Sequence, residues 1–163
     1  MGRLFQASRD LPLGATDFKL PEHSRNVNKI ELLHEYVDVA VCGSHMNKLP
    51  LNKQLLDVGA TLVKEVKTTP EYSLFDISSS SLKRPGMVRN PSNGASIDVE
   101  VWRIPRERAG DFLDNVKAPL TLGNVQLEDG TSVKGFLCES YALSSATDIS
   151  SFGGWRNYLK SQN

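Results

Sequence analysis

The chain has 163 residues, 39% of them hydrophobic and 23% charged, which matches one ordinary globular domain with a single sizeable core. Lysine plus arginine and aspartate plus glutamate both total 19, so the formal net charge is zero, and no basic stripe or acidic tail marks nucleic acid as a partner. No apolar run is long enough to cross a bilayer and MGRLFQASRDLPLG lacks the apolar centre of a secretory signal, so neither membrane nor export is expected and the protein is read as cytoplasmic.

Residues 1–36 are polar and irregular, with turn signals at Leu13-Gly14-Ala15 and Leu20-Pro21-Glu22, and read as an arm or linker ahead of a domain spanning 37–163. Val37, Val39 and Val41 alternate with Asp38, Ala40 and Cys42, a period of two that predicts a strand ended by Gly43. Pro50 sits where a first helical turn accepts proline, Leu51, Leu55 and Leu56 share a face, and Gly59 follows as a cap, which predicts a short helix. TLVKEVK (61–67) and EYSLFDI (71–77) read as strands around Thr69-Pro70, and Ser78–Ser81 with Lys83-Arg84-Pro85-Gly86 reads as a loop. The four serines have no flanking glycine and no adjacent base, so they are taken as solvated rather than nucleophilic.

Met87–Arg89 begins another short strand, Pro91–Gly94 turns, and Ile97, Val99 and Val101 alternate with Asp98, Glu100 and Trp102 in a clear one. Asp38, Asp98 and Glu100 project opposite the valines, with solvent as the default surrounding. Pro105 opens a predicted helix through about Val116, Glu128-Asp129-Gly130-Thr131 tips a hairpin, and Trp155–Lys160 reads as a closing helix. The pattern predicts an α+β domain built around a mostly β, barrel-like sheet. Cys42 and Cys138 end apolar runs and read as buried thiols. His23, His34 and His45 have no ligand spacing with either cysteine, so no metal and no other cofactor is expected.

The stretches GSHMNKLPLNKQL, TTPEYSLF, KRPGMVR, IDVEVWRIP, VKGFLCESYAL and DISSFGGWRNYL occur in an order and spacing that resembles the C-terminal domain of allophanate hydrolases. LPLGAT looks like the segment that joins this domain to the amidase half. The resemblance implies a fold similar to the gamma-glutamylcyclotransferases, a small mixed β-barrel with peripheral short helices. In allophanate hydrolases the amidase half releases ammonia, and the C-terminal domain is held to process the resulting N-carboxycarbamate by loss of carbon dioxide. The chain lacks the amidase nucleophile region and is not expected to hydrolyse allophanate. The expectation is a free-standing enzyme of nitrogen metabolism acting on a small carboxylated nitrogen compound by a lyase or hydrolase step. The alternatives are a recruited small-molecule lyase or cyclase, or a non-catalytic partner of a separate amidase. Gamma-glutamylcyclotransferases carry a catalytic glutamate after the strand matching IDVEVW; here DFLDNVKAPLTLG has none, so their cyclisation is not expected.

A strand ending in Gly43-Ser44-His45 before a proline-started helix directs backbone N–H groups toward one spot, an arrangement that attracts carboxylates. His45 titrates near neutrality and suits proton transfer, although a histidine that merely holds the loop is the competing reading; the resemblance favours a site role. Met46, Leu51 and Asn52 of the same motif join Gly43 and Ser44 in the expected substrate-binding set. Arg89 is the expected carboxylate clamp, Tyr72 a candidate phenol donor and Glu139 a candidate general base, each with a structural alternative of similar weight. Exposed sheet edges together with the LPLGAT arm point to a homodimer.

Overall fold

The computed structural model describes residues 35–79 and 82–163. The expected arm over 1–36 lies outside these residues except for Glu35 and Tyr36. In chain order the elements are β1 (Tyr36–Val41), α1 (Asn52–Asp57), β2 (Thr61–Lys67), β3 (Tyr72–Asp76), β4 (Pro85–Arg89), β5 (Asp98–Pro105), α2 (Ala109–Leu113), β6 (Leu120–Gln126), β7 (Ser132–Cys138), β8 (Thr147–Asp148) and α3 (Trp155–Ser161). A five-stranded sheet runs β2-β5-β1-β7-β6 and a three-stranded sheet runs β4-β3-β8. All pairings are antiparallel except β1 with β7, which sets Val39 opposite Lys134 and Ala40 opposite Gly135.

The class is α+β as expected, but the barrel is not closed. The outer strands β2 and β6 meet at one end only, where Thr68 bridges Leu127 and Glu128 N–H donates to Lys67 C=O at 2.9 Å. Beyond Pro70 the chain leaves for the second sheet instead of continuing the ladder, because β3 pairs from Tyr72↔Arg89 to Asp76↔Pro85 with β4. Proline has no N–H to extend a ladder, so the departure at Pro70 follows from its chemistry.

The larger sheet is covered on both faces, and this decides the strand patterns. Ala40, Cys42, Val99 and Val101 pack toward Tyr72, Leu74 and Met87 of the small sheet and toward Trp155 of α3. Val39, Val41, Trp102 and Ile104 pack toward Leu55 of α1, Phe112 of α2 and Phe136 of β7. The central strands β1 and β5 are therefore apolar on alternate residues of both faces. Asp38 and Asp98 stay at the surface in ion pairs with Arg103 and Lys67, as expected, whereas Glu100 is wholly buried. Its carboxylate accepts from Arg156 Nη2 at 2.7 Å, Asn47 N–H at 2.7 Å and Trp102 Nε1 at 2.9 Å, which offsets the desolvation of a charge in the core.

The helix expected from Pro105 to Val116 is shorter: a 3-10 turn at Arg106–Arg108 leads into α2, which ends at Leu113. Strand β4 starts at Pro85, inside the expected loop, because its partner β3 extends to Asp76. The Asp-Gly hairpin tip between β6 and β7 is as expected, with Gly130 at φ +82 where an L side chain is strained.

Candidate functional site

At the end of β1 the chain folds into a tight turn that α1 grips from below. Met46 N–H donates to Gly43 C=O, Leu51 N–H to Ser44 C=O and Asn52 N–H to Leu49 C=O, each at 2.9–3.0 Å. Asn47 N–H goes to Glu100. These four donors are committed within the fold; the Ser44 and His45 N–H groups of the expected cradle are not among them. The Asn52 amide donates to His45 C=O at 2.9 Å and the Ser44 hydroxyl to Lys83 C=O at 3.0 Å, which joins the turn to the segment entering β4. Approach there is close enough to require glycine: a Cβ on Gly43 would stand 2.6 Å from Pro85 Cδ.

The His45 ring lies parallel to Phe136 (centroids 5.2 Å apart, planes within 8°) and edge-on to Phe112 at 5.6 Å. Its Nε2 meets Gln54 Oε1 of α1 at 2.9 Å. Burial among these aromatic groups holds its pKa below the ordinary 6.5, and the bond to Gln54 offsets only part of that effect. That direction favours the neutral ring at pH 7.

His45 borders an open cavity of about 270 Å³. Cys42, Gly43 and Ser44 line it from the turn after β1, Leu51 from just before α1, Gln54 from α1 and Phe136 from β7. Leu82 and Arg84 enter from before β4, Pro85 from its first position, and Asn115, Val116 and Lys117 from after α2. Arg84 Nε is buried and has no hydrogen-bond partner among the described residues. That nitrogen is sealed from solvent, so it is other atoms of Arg84 that border the cavity. The cavity thus brings an imidazole, two cationic side chains and the amides of Gln54 and Asn115 to one apolar-walled space. Cys42 is no nucleophile there, since burial pushes its thiol up to about 12, and the Cys138 thiol is raised by the same cause.

The family profile described as the allophanate hydrolase C-terminal domain matches residues 37–160. The chain belongs to this family. It is 38% identical over 128 residues to urea amidolyase of Saccharomyces cerevisiae, which covers 76% of this chain and 7% of that protein. The structure of Kluyveromyces lactis allophanate hydrolase superposes with a TM-score of 0.76 at 36% identity, covering 78% of this chain and 21% of that one. A uropathogenic E. coli-specific protein superposes at TM-score 0.71 and 32% identity over 77% of this chain and 96% of its own. The chain thus spans less than a tenth of the urea amidolyases it matches and nearly all of a small single-domain relative.

Within this allophanate hydrolase C-terminal domain, the residues singled out from sequence divide between the cavity and the rest of the fold. Gly43, Ser44, His45 and Leu51 line the cavity, and Asn52 stands behind it on the His45 carbonyl. Met46 is buried in the helix-covered core instead. Arg89 lies at the far end of β4 in an exposed ion pair with Glu71 at 2.7 Å, because the β3–β4 register sets it opposite Tyr72. Tyr72 is fully buried, and its hydroxyl accepts Gln126 N–H at 2.9 Å. Glu139 is exposed beyond β7 and borders no part of the cavity. Arg84, Lys117 and Gln54 were not singled out; the packing of KRPG against Gly43, the segment after α2 and the return of α1 bring them to the His45 cavity. No group of three potential metal-ligating side chains occurs among the described residues, and no helix among them is long and apolar enough to cross a membrane.

Proposed function

We propose that this domain binds a small carboxylated nitrogen compound in the His45 cavity and removes carbon dioxide from it, with N-carboxycarbamate as the type substrate. The observation that carries the reading is the meeting of the His45 imidazole with two cationic residues, Arg84 and Lys117, around one apolar-walled cavity. Arg84 and Lys117 hold carboxylate oxygens, the guanidinium by its planar fork. His45 takes the proton from the carboxyl group that departs, the C–N bond breaks with its electron pair left on nitrogen, and the imidazolium returns the proton to that nitrogen. The products are carbon dioxide and carbamate, and the proton count is unchanged. Urea amidolyase and allophanate hydrolase carry the matching domain within longer chains, which supports a supply of substrate from a separate amidase in the cytoplasm.

Malonate mimics the two carboxylates without the labile nitrogen and tests the site directly. It should raise the melting temperature of the wild type and of Arg89→Lys, and much less that of Arg84→Gln. His45→Ala should keep malonate binding and lower carbon dioxide release by roughly 10²-fold, the usual loss for a positioned acid–base group. Equal stabilisation of wild type and Arg84→Gln would move the anion site elsewhere.

A further inference from the structure

We propose that Gln54 is the positioning residue of His45: its Oε1 accepts the Nε2–H and holds the ring as the tautomer whose Nδ1 lone pair is open to the cavity. The inference rests on the reading of His45 as the proton-transferring group. An amide oxygen only accepts, so at 2.9 Å the imidazole Nε2 is the donor and carries the ring's single proton. Nδ1 makes no hydrogen bond to a described residue and is not among the sealed, partnerless polar atoms of the interior, so it is the nitrogen that meets a ligand. Phe136 stacked on one face and Phe112 edge-on to the ring prevent the flip that would exchange the two nitrogens.

The helix that carries Gln54 is registered to the loop twice more, by Asn52 on the His45 carbonyl and by Leu51 N–H on Ser44 C=O. Gln54 therefore does not follow the ring passively; its backbone is fixed relative to the His45 backbone. The choice of an amide has a chemical consequence. A carboxylate at this position would also orient the ring, but it would stabilise imidazolium and fill the lone pair the reaction needs. Glutamine orients without charging. The titratable and charged groups that share the cavity with the ring are Cys42 at the end of β1, Arg84 before β4 and Lys117 after α2, while the groups in contact with it from α1, α2 and β7 are Gln54, Phe112 and Phe136, none of which titrates.

The test is a ¹⁵N NMR titration of the whole chain, with the His45 signals among the three histidines assigned by their loss in His45→Ala. The wild type should show protonated Nε2 and bare Nδ1 above the titration midpoint. Gln54→Glu should keep that pattern and raise the midpoint by about one pH unit or more, carrying the acid limb of the turnover profile with it. Gln54→Met should give a mixture of tautomers, a lower midpoint, and turnover reduced roughly 10-fold with KM nearly unchanged. Protonated Nδ1 in the wild type would overturn the proposal, as would Met and Glu variants that leave both pattern and midpoint of His45 unaltered. The spectra need no turnover, so they stand apart from the function reading: if the variants move His45 as expected while His45→Ala keeps full activity, the tautomer assignment holds and the catalytic role of His45 falls.

Discussion

Replacing Arg156 with methionine cuts the tie between the last helix and the His45 loop, since Arg156 Nη2 reaches both Glu100 and the carbonyl of Asn47 at 2.7 Å. Glu100 is wholly buried and keeps two neutral donors, Asn47 N–H and Trp102 Nε1, after the change, but loses the countercharge of Arg156. Breaking a buried pair in this way costs about 3–5 kcal/mol. A third of the Arg156 side chain meets solvent, so water can enter the gap, and the lower end, about 3 kcal/mol, is expected. For a domain of this size that is a fall of roughly 10 °C in melting temperature. Glu100→Gln removes the charge while keeping shape and one acceptor, so the Glu100→Gln, Arg156→Met double variant should be more stable than the sum of the single losses predicts, by about 1–2 kcal/mol. Urea and thermal denaturation of the four proteins, followed by circular dichroism at one pH, complete the cycle. A fall of less than about 2 °C for Arg156→Met, or strict additivity, would refute the argument that one buried carboxylate joins these segments.

Gly43→Ala should cost about 1–3 kcal/mol, because the new methyl meets the Pro85 ring at 2.6 and 2.7 Å and the ring cannot swing aside. Gly110→Ala in α2 is the control: it meets nothing within 4 Å and should stabilise by about 0.5–1 kcal/mol, so similar effects at the two positions in chemical denaturation would contradict the packing. His45 releases its proton more readily in the folded chain than in the unfolded one, so the unfolded state takes up the extra proton as pH falls. Its contribution is therefore fully present above the ordinary value of 6.5 and lost on acidification below it; melting temperatures between pH 5 and 8 should show this decline, and His45→Asn should flatten it.

Local chemistry was enough to read most elements of this protein. Alternating valines mark β1 and β5, Asp-Gly marks the β6–β7 turn, and Pro50 with Gly59 brackets α1, because each reports a backbone preference that acts within a few residues. The Gly43-Ser44-His45 break was legible for the same reason, since a glycine and a titratable side chain at a strand end stand out without any partner. Burial of Glu100 was not legible, because an acid alternating with valines looks solvated until both faces of the sheet are covered. Neither was the open barrel, which depends on β3 pairing with β4 rather than continuing beside β2. Arg84 and Arg89 make the limit plain. They lie five residues apart in one motif, and nothing local ranks one above the other; the register that pairs Tyr72 with Arg89 sends that guanidinium to Glu71 at the surface, while the contact of Pro85 on Gly43 brings Arg84 to the histidine. Which cation faces His45 is set by contacts between residues some forty positions apart, and tertiary packing alone decides those.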